Sequence, residues 1–175
     1  LYRRFGPDGT LVMQGGVMGD GGRRQHAGPY DLVASFGFIE HFSNPQDVVR
    51  KHLELLRPGG VLVVTVPNLN ETTWYGWLVK RFNPPVYAIH NTRVCTSKAL
   101  HDLATSLNLR IFHCGPLGGP DIGFVPDPRL ASRCIARLLL VPNFIMNRLN
   151  HLVLGNRLKP FPRTASTLAL VAEQS

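Results

Sequence analysis

The chain has 175 residues, of which 44% are hydrophobic and 17% are charged, and its formal net charge at pH 7 is +8. These values are typical of a globular protein, and the length suits one domain with a sizeable core. They argue against a disordered chain and against an integral membrane protein, because no stretch reaches the roughly 18 uninterrupted apolar residues of a spanning helix. The N-terminus also lacks the apolar segment of a signal peptide.

The three cysteines are odd in number and far apart, and they form no Cys-x-x-Cys pair: Cys95, Cys114 and Cys134. This pattern predicts free thiols rather than a disulfide framework or a zinc site. Free thiols are typical of a reducing compartment, so we expect a cytoplasmic protein.

The first 29 residues show weak patterning. Leu1–Gly9 predicts the end of a helix and a turn, Thr10–Gln14 is a candidate strand, and Gly21–Pro29 is a predicted loop. Glycine pairs occur between residues 15 and 22, but no apolar strand and following helix flank them as a G-x-G-x-x-G cofactor motif requires.

A βαβ unit is predicted from residue 30 onwards. Tyr30–Phe36 is a short apolar run that is typical of a buried strand. Ser43-Asn44-Pro45-Gln46 then predicts a helix start, with Ser43 or Asn44 as the cap and Gln46 placed for a capping box. Val49, Leu53 and Leu56 follow at i, i+4 and i+7, which gives the helix one apolar stripe.

The same unit is completed by a helix stop and a second strand. Pro58-Gly59-Gly60 is predicted to end the helix, because proline cannot continue it and glycine accepts a positive φ. Val61–Val66 is an all-apolar run rich in β-branched residues, which favours a second buried strand. A crossover of this length joins parallel strands, so the predicted fold class is α/β.

About forty residues of this unit resemble a known family. The segments Ile39-Glu40-His41-Phe42, Leu56-Arg57-Pro58-Gly59-Gly60 and Val66-Pro67-Asn68 resemble the second half of the class I S-adenosylmethionine-dependent methyltransferase fold. The resemblance implies a Rossmann-like, mostly parallel sheet with helices on both faces, closed by a C-terminal antiparallel strand. It also implies S-adenosylmethionine as the cofactor and a small-molecule methyl acceptor.

The family fold normally opens with a strand and a glycine-rich turn, which this sequence lacks. The chain also begins at Leu1 rather than at methionine, so we expect the fold to be N-terminally incomplete. In that frame Thr10–Gln14 would be the third family strand. Asp20 would then bind the adenine amino group, unless the register places Gly16 there and Asp20 is a plain turn residue.

The carboxyl end of the Tyr30–Phe36 strand is the predicted site, since open α/β sheets bind ligands at that edge. The resemblance places the cofactor near Ser35, Phe36 and Gly37. Glu40 and His41 follow directly, with His41 as a general base or substrate-orienting group and Glu40 tuning it. The alternative is structural: Glu40 accepts backbone hydrogen bonds, and His41 packs under the next helix.

A metal is not predicted at this edge. Methyltransferases of ubiquinone biosynthesis resemble the region and use an E-x-x-E-H cluster for a metal. Gly37 stands at the first of those positions in this sequence, which leaves Glu40 and His41 as two ligands only.

Acceptor contacts are predicted in the segment Asn70–Arg93, which is rich in aromatic residues and predicted to be irregular. Amphipathic aromatic rings suit the wall of a pocket for a partly apolar acceptor, or they pin the loop to the core. The candidates for touching substrate are Trp74, Tyr75, His90 and also Asn68, which alternatively caps the next helix.

The C-terminal part is predicted to contain a helix, a split hairpin and a helical insertion. Thr96-Ser97 caps a helix, and Leu109–His113 and Thr167–Ala172 are the two strands of the hairpin. Between them, Arg129–Val141 predicts a helix that Pro142 breaks, and Asn143–Leu154 predicts a second one.

The insertion is strongly basic. Pro128–Ala172 contains no acidic residue and seven basic ones: Arg129, Arg133, Arg137, Arg148, Arg157, Lys159 and Arg163. The first three share a helix face, next to an apolar face formed by Leu130, Cys134, Leu138 and Val141. Residues 129–163 could contact an anionic membrane peripherally, face a phosphorylated or acidic substrate, or pack on the sheet with solvated arginines. The lack of interleaved aromatic residues argues against nucleic acid.

The predicted organisation is one methyltransferase-like domain over residues 1–175. Residues 1–29 hold the candidate third strand and a loop, 30–114 the core, 115–165 the helical insertion and 166–175 the last strand. Two functions remain open at this stage: an S-adenosylmethionine-dependent methyltransferase, and a non-catalytic fragment that serves as an interaction or membrane-docking module.

Overall fold

The computed structural model describes residues 3–5, 10–12, 29–118, 126–127, 130–152 and 163–174. These residues form six strands: β1 (Arg3–Phe5), β2 (Thr10–Val12), β3 (Tyr30–Phe36), β4 (Leu56–Pro67), β5 (Arg110–Leu117) and β6 (Thr167–Glu173). The helices are α1 (Pro45–Leu53), α2 (Trp74–Phe82), α3 (Pro84–Ala88), α4 (Ser97–Ser106) and α5 (Leu130–Leu152), and a short 3₁₀ turn covers Ile39–His41.

A four-stranded sheet in the order β3-β4-β6-β5 organises the fold. β3 pairs with β4 in parallel, and β6 runs antiparallel to both β4 and β5. The predicted βαβ unit and the C-terminal antiparallel hairpin are therefore confirmed. The fold is α/β and Rossmann-like, as the sequence predicts. The described four-stranded sheet is mixed rather than mostly parallel, because β6 pairs antiparallel with both of its neighbours.

The core lies on this sheet. Leu62, Val64 and Val66 of β4 are at most 1% exposed, and Leu168 and Leu170 of β6 are at most 2% exposed. Burying a side chain of this size contributes roughly 1.5–3 kcal/mol. The central pair of strands is thus fixed in register by its apolar face.

Helix α1 begins and ends differently from the prediction. Asn44 is the cap residue, but its side chain donates to the Asp47 carboxylate (2.6 Å) instead of accepting a backbone N–H. The predicted capping box is wrong, because Gln46 Nε2 donates to Ser106 Oγ of α4 at 3.1 Å. The helix also ends at Leu53 rather than at Pro58.

Pro58-Gly59-Gly60 lies inside β4, so its prediction as a helix stop is wrong. Gly59 has φ +73°, and its N–H donates to the Gln174 carbonyl (2.9 Å) beyond β6. A Cβ at Gly60 would lie 2.8 Å from the Arg57 carbonyl oxygen and 3.1 Å from that of Tyr30. The two glycines therefore let the start of β4 approach its neighbours closely, and the pairing with β3 shifts register there.

The N-terminal strands do not take the predicted places. Arg3–Phe5 was predicted as a helix end but is a strand, and it pairs antiparallel with Thr10–Val12. β2 therefore forms a separate two-stranded sheet rather than the third strand of the main one. A local hairpin closes a short loop, which costs little chain entropy.

The insertion contains one 23-residue helix, α5, with Pro142 inside it, so the predicted break is wrong. Pro142 is exposed, and Leu138, whose carbonyl loses its helical partner, is 73% exposed, so water can hydrate that carbonyl. The predicted apolar packing face is also wrong. Cys134, Leu138 and Val141 are exposed, and the helix packs on the core through another face: Ile135, Ala136 and Leu139. No helix within the described ranges is long and apolar enough to cross a bilayer.

We expect Gly76→Ala to destabilise the fold by about 2 kcal/mol or more, because overpacking a tight site forces the backbone to move. A Cβ at Gly76 in α2 would lie 2.1 Å from the Asn70 carbonyl oxygen. Gly115→Ala in β5 is the matched control, because no atom lies within 4 Å of its new methyl group. Chemical denaturation of both variants measures the difference, and equal stabilities would contradict the described packing of α2.

Candidate active site

A cavity of about 670 Å³ opens at the edge where β3 and β4 end. Its lining comes from the turn after β3, the end of β4, α2, the loop after α3, α5 and the start of β6. The lining residues are Gly37, Glu40, His41, Thr65, Val66, Pro67, Tyr75, His90, Pro126, Arg133, Ala136, Arg137, Leu140, Asn143, Ser166 and Thr167. Ligand binding at this edge is the general behaviour of open α/β sheets.

Gly37 makes the turn that carries the chain from β3 into the cavity floor. It has φ +58°, where side chains other than glycine's are strained, and its N–H donates to the Thr65 carbonyl at 2.9 Å. The neighbouring residues differ in exposure. Ser35 is buried and its Oγ has no hydrogen-bond partner among the described residues, whereas Phe36 is 69% exposed.

Glu40 is a buried carboxylic acid at the cavity floor. The residue is 1% exposed, and its Oε2 has no hydrogen-bond partner among the described residues. Burial raises the pKa of the Glu40 carboxyl, while its own backbone hydrogen bond and the neighbouring His41 act in the opposite direction. An acid with a raised pKa at a cavity wall is a candidate for proton chemistry.

His41 and His90 lie side by side, with ring centroids 4.5 Å apart. His90 Nδ1 lies 2.5 Å from the Val86 carbonyl oxygen, which assigns the proton to Nδ1 and leaves Nε2 as an acceptor. Burial lowers the pKa of His90, and His41 lowers it further, so the ring favours its neutral form. His90 can therefore accept a proton or ligate a cation.

Glu40, His41 and His90 each place one donor atom within 4.8 Å of the others. A carboxylate with two imidazoles is a donor set that suits a divalent transition metal. The prediction of no metal considered only two ligands, Glu40 and His41, because Gly37 stands at the first position of the E-x-x-E-H pattern. His90 is instead brought in from far along the chain, so the same three groups could serve as a proton-transfer cluster or hold a cation.

The aromatic segment after β4 is more regular than predicted, since it contains α2 and α3. Thr73 and Asn83 cap these helices by accepting the N–H groups of Gly76 and Val86. Tyr75 lines the cavity, and its contact with substrate stays a prediction.

Trp74 is not among the cavity-lining residues. Its ring stacks on that of Trp77 at a centroid distance of 5.5 Å, and its backbone N–H donates to the Arg163 carbonyl. This half of the aromatic segment therefore pins α2 to the chain before β6.

Asn68 is also placed outside the cavity lining. It is buried, its N–H donates to the Ser166 carbonyl at 2.8 Å, and its Nδ2 donates to the Ala165 carbonyl at 3.0 Å. It therefore joins the end of β4 to the start of β6, and the helix cap predicted for it belongs to Thr73 instead. Asp20 lies outside the described residues.

Sequence reasoning did not place the C-terminal part of the chain in the cavity lining. Ser166, Thr167 and one face of α5, including Arg133 and Arg137, contribute to that lining. The arginine spacing was visible in the sequence, but nothing local indicates that the helix folds back over the edge of the sheet.

The family model described as "Methyltransferase domain" matches residues 6–113, which is more than half of the chain. The chain belongs to this methyltransferase family. The β3–α1–β4 unit and the cavity floor lie within the matched range, whereas α5 and β6 follow it.

Curated relatives match a shorter part of this methyltransferase domain. Ubiquinone biosynthesis O-methyltransferases from Escherichia coli O139:H28, Shigella boydii serotype 18 and Escherichia fergusonii are 40% identical over 50 residues. Those 50 residues are 29% of this chain and 21% of each relative, so the match spans about a fifth of the relatives' length. A solved SAM-dependent methyltransferase from Archaeoglobus fulgidus is 17% identical, with a TM-score of 0.45, and the likeness covers 82% of this chain and 59% of that one.

We expect Glu40→Gln to stabilise the domain near neutral pH. The pKa of Glu40 is raised in the folded state. Its contribution to the free energy of unfolding is therefore most favourable below the pKa of the unfolded state, and it is lost as the pH rises through the folded-state pKa. A neutral amide avoids the cost of a buried charge. Thermal unfolding should show the higher Tm for the variant near neutral pH, and the gap should close below a pH of about 4. Glu54→Gln, at an exposed acid that follows α1, is the control and should leave the Tm near neutral pH unchanged.

Proposed function

We propose that this domain transfers a methyl group from S-adenosylmethionine to a hydroxyl oxygen of a small molecule. The observation that carries the proposal is the placement of Glu40, His41 and His90 together in the cavity at the carboxyl edge of β3 and β4. Family membership supports methyl transfer, and a proton-accepting cluster supports a hydroxyl acceptor, which must lose its proton.

Electron flow in this reaction is simple. The acceptor oxygen attacks the sulfonium methyl carbon in line, the carbon–sulfur bond breaks, and S-adenosylhomocysteine leaves. The hydroxyl proton passes to His41, whose ring faces the cavity beside His90. The carboxylate of Glu40 stabilises the resulting imidazolium, consistent with the attraction to His41 that favours the ionised form of Glu40.

The cofactor is proposed to lie against the end of β3. Gly37 lines the cavity there, and Phe36 and Ser35 precede it in sequence. The Phe36 ring is exposed, and the Ser35 Oγ has no hydrogen-bond partner among the described residues. A backbone turn without a side chain allows a ligand to approach closely. Tyr75 from α2 then borders the acceptor side of the same cavity.

We expect His41→Ala to lower kcat roughly 100-fold while the Kd for S-adenosylmethionine stays unchanged, since a general base contributes about 10²–10⁴ in rate. Release of S-adenosylhomocysteine with a panel of catechols measures the rate, and calorimetry measures cofactor binding. His101→Ala, at an exposed histidine of α4, is the matched control. Loss of activity on adding EDTA would show that the three donors act through a bound cation instead.

The rival function is a non-catalytic interaction module. Calorimetry on this chain and on a version extended at its N-terminus separates the two hypotheses. Cofactor binding by either one supports the methyltransferase, and binding by neither supports the module.

We also propose that α5 contacts anionic membrane surfaces. Exposed apolar side chains recur at i, i+3, i+7, i+11 and i+14 along it: Leu138, Val141, Ile145, Leu149 and Leu152. Phe144 lies beside this stripe and is 66% exposed. The helix carries no acidic residue, so the negative surface of a bilayer would attract it.

Co-sedimentation with lipid vesicles should therefore show binding that increases when phosphatidylglycerol is added to phosphatidylcholine. The double variant Val141→Ser with Phe144→Ser should bind vesicles roughly tenfold more weakly, because two apolar side chains that the bilayer would bury are lost. Phe112→Ser, at an exposed ring of β5, is the control. Binding that ignores both the double substitution and the lipid charge would exclude α5 as the contact.

A further inference from the structure

One face of α5 forms a wall of the cavity. The residues that α5 contributes occur at i, i+3, i+4, i+7 and i+10: Arg133, Ala136, Arg137, Leu140 and Asn143. This spacing is one stripe of an α-helix. The stripe is held at the cavity because its own Ala136 and the neighbouring Ile135 and Leu139 pack against the core.

The two arginines place positive charge inside the cavity without a described counter-charge. Both are exposed residues of the lining, and no carboxylate among the described residues forms an ion pair with either. Glu40 is the one acid in the described lining, and it is 1% exposed and directly precedes His41. The cavity is therefore cationic at the α5 wall.

Arg133 and Arg137 are one helical turn apart, so their Cβ atoms lie about 5–6 Å from one another. Two guanidinium groups at that separation can both reach one carboxylate or phosphate, and each offers paired N–H donors in a planar fork. Leu140, one turn further along, supplies an apolar surface next to them. The wall thus presents an anion-binding end and an apolar continuation.

We propose that the methyl acceptor carries an anionic group, a carboxylate or a phosphate, which Arg133 and Arg137 bind. This rests on the proposed function, because the bound anion would direct the acceptor hydroxyl toward His41, which lines the same cavity. The arginines would act in positioning and specificity, and the proton transfer would remain with the Glu40, His41 and His90 cluster.

Three matched probes test this proposal: protocatechuate, its neutral carboxamide, and the corresponding catechol phosphonate. Their Kd values follow from the shifts of the His41 and His90 ring signals in NMR titrations. We expect the wild-type chain to bind at least one of the two anions roughly tenfold more tightly than the carboxamide. The anion that binds more tightly shows whether the site prefers a carboxylate or a phosphate-like group.

The variants assign the preference to the two arginines. In the double variant Arg133→Gln with Arg137→Gln, the ratio of the carboxamide Kd to the anion Kd should fall to about one. The variant with lysine at both positions should keep part of the preference, because the charge remains while the paired donors are lost. Arg50→Gln, at an exposed arginine of α1 outside the cavity lining, should keep all of it. Thermal unfolding of each variant checks that the fold is intact.

Equal binding of acid and amide by the wild-type chain, or no binding of any probe, would overturn the proposal. A preference that survives the double glutamine substitution would overturn it as well. If that substitution instead weakens S-adenosylhomocysteine binding and spares the preference, the arginines bind the cofactor carboxylate. An anion preference without methyl transfer would leave the anion site in place while refuting the proposed function.

Discussion

The parallel pairing of β3 with β4 is the constraint on which the cavity depends. It aligns Ser35 with Val64 and Phe36 with Thr65, so both strands end at the same edge of the sheet. The Gly37 N–H then donates to the Thr65 carbonyl, which continues the ladder for one more bond before the chain turns. That bond fixes where the Ile39–His41 turn begins, and with it the positions of Glu40 and His41.

A second constraint assembles the site from distant parts of the chain. The Asn91 N–H donates to the Glu40 carbonyl at 2.6 Å, and Asn91 Nδ2 donates to the Phe42 carbonyl at 3.1 Å. Because His90 precedes Asn91, these bonds hold its ring against that of His41. The backbone of a buried acid and a loop asparagine thus do the positioning, while the imidazoles remain available for chemistry.

The sequence predicted the parts of the structure in which local pattern and tertiary position agree. Val61–Val66 is an apolar run that forms the largely buried part of β4, and Thr96 caps α4 as its type and place indicate. Tyr30–Phe36 also forms a strand parallel to β4, but it is the edge strand of the described sheet and only its Ser35 is buried, so the prediction of a buried strand is wrong there. Predictions failed where a local signal was overridden by neighbours. Pro58-Gly59-Gly60 ends helices in general, yet here the glycines serve the close pairing of β4.

The same distinction applies to the candidate site. Glu40 and His41 were visible because they follow a predicted strand, at the edge where ligands bind. His90 was a candidate substrate contact, but its position beside His41 depends on the Asn91 hydrogen bonds. The place of Arg133 and Arg137 in the cavity lining depends on the packing of Ile135 and Leu139 on the core. These are long-range contacts, which no spacing in the sequence reveals.

The burial of Glu40 helps to distinguish an enzyme from a non-catalytic interaction module. A carboxyl group that is buried with one oxygen lacking a described partner costs folding free energy, on the order of 1–3 kcal/mol for the unsatisfied group. An apolar residue of similar volume would remove that cost, and a domain that only binds partners through α5 would lose nothing by it. The Glu40 carboxyl lies beside His41 and His90 in the cavity lining, where it can stabilise the positive charge of a histidine that takes up a proton. A destabilising residue at the position where the proposed chemistry needs it favours the catalytic function over the module.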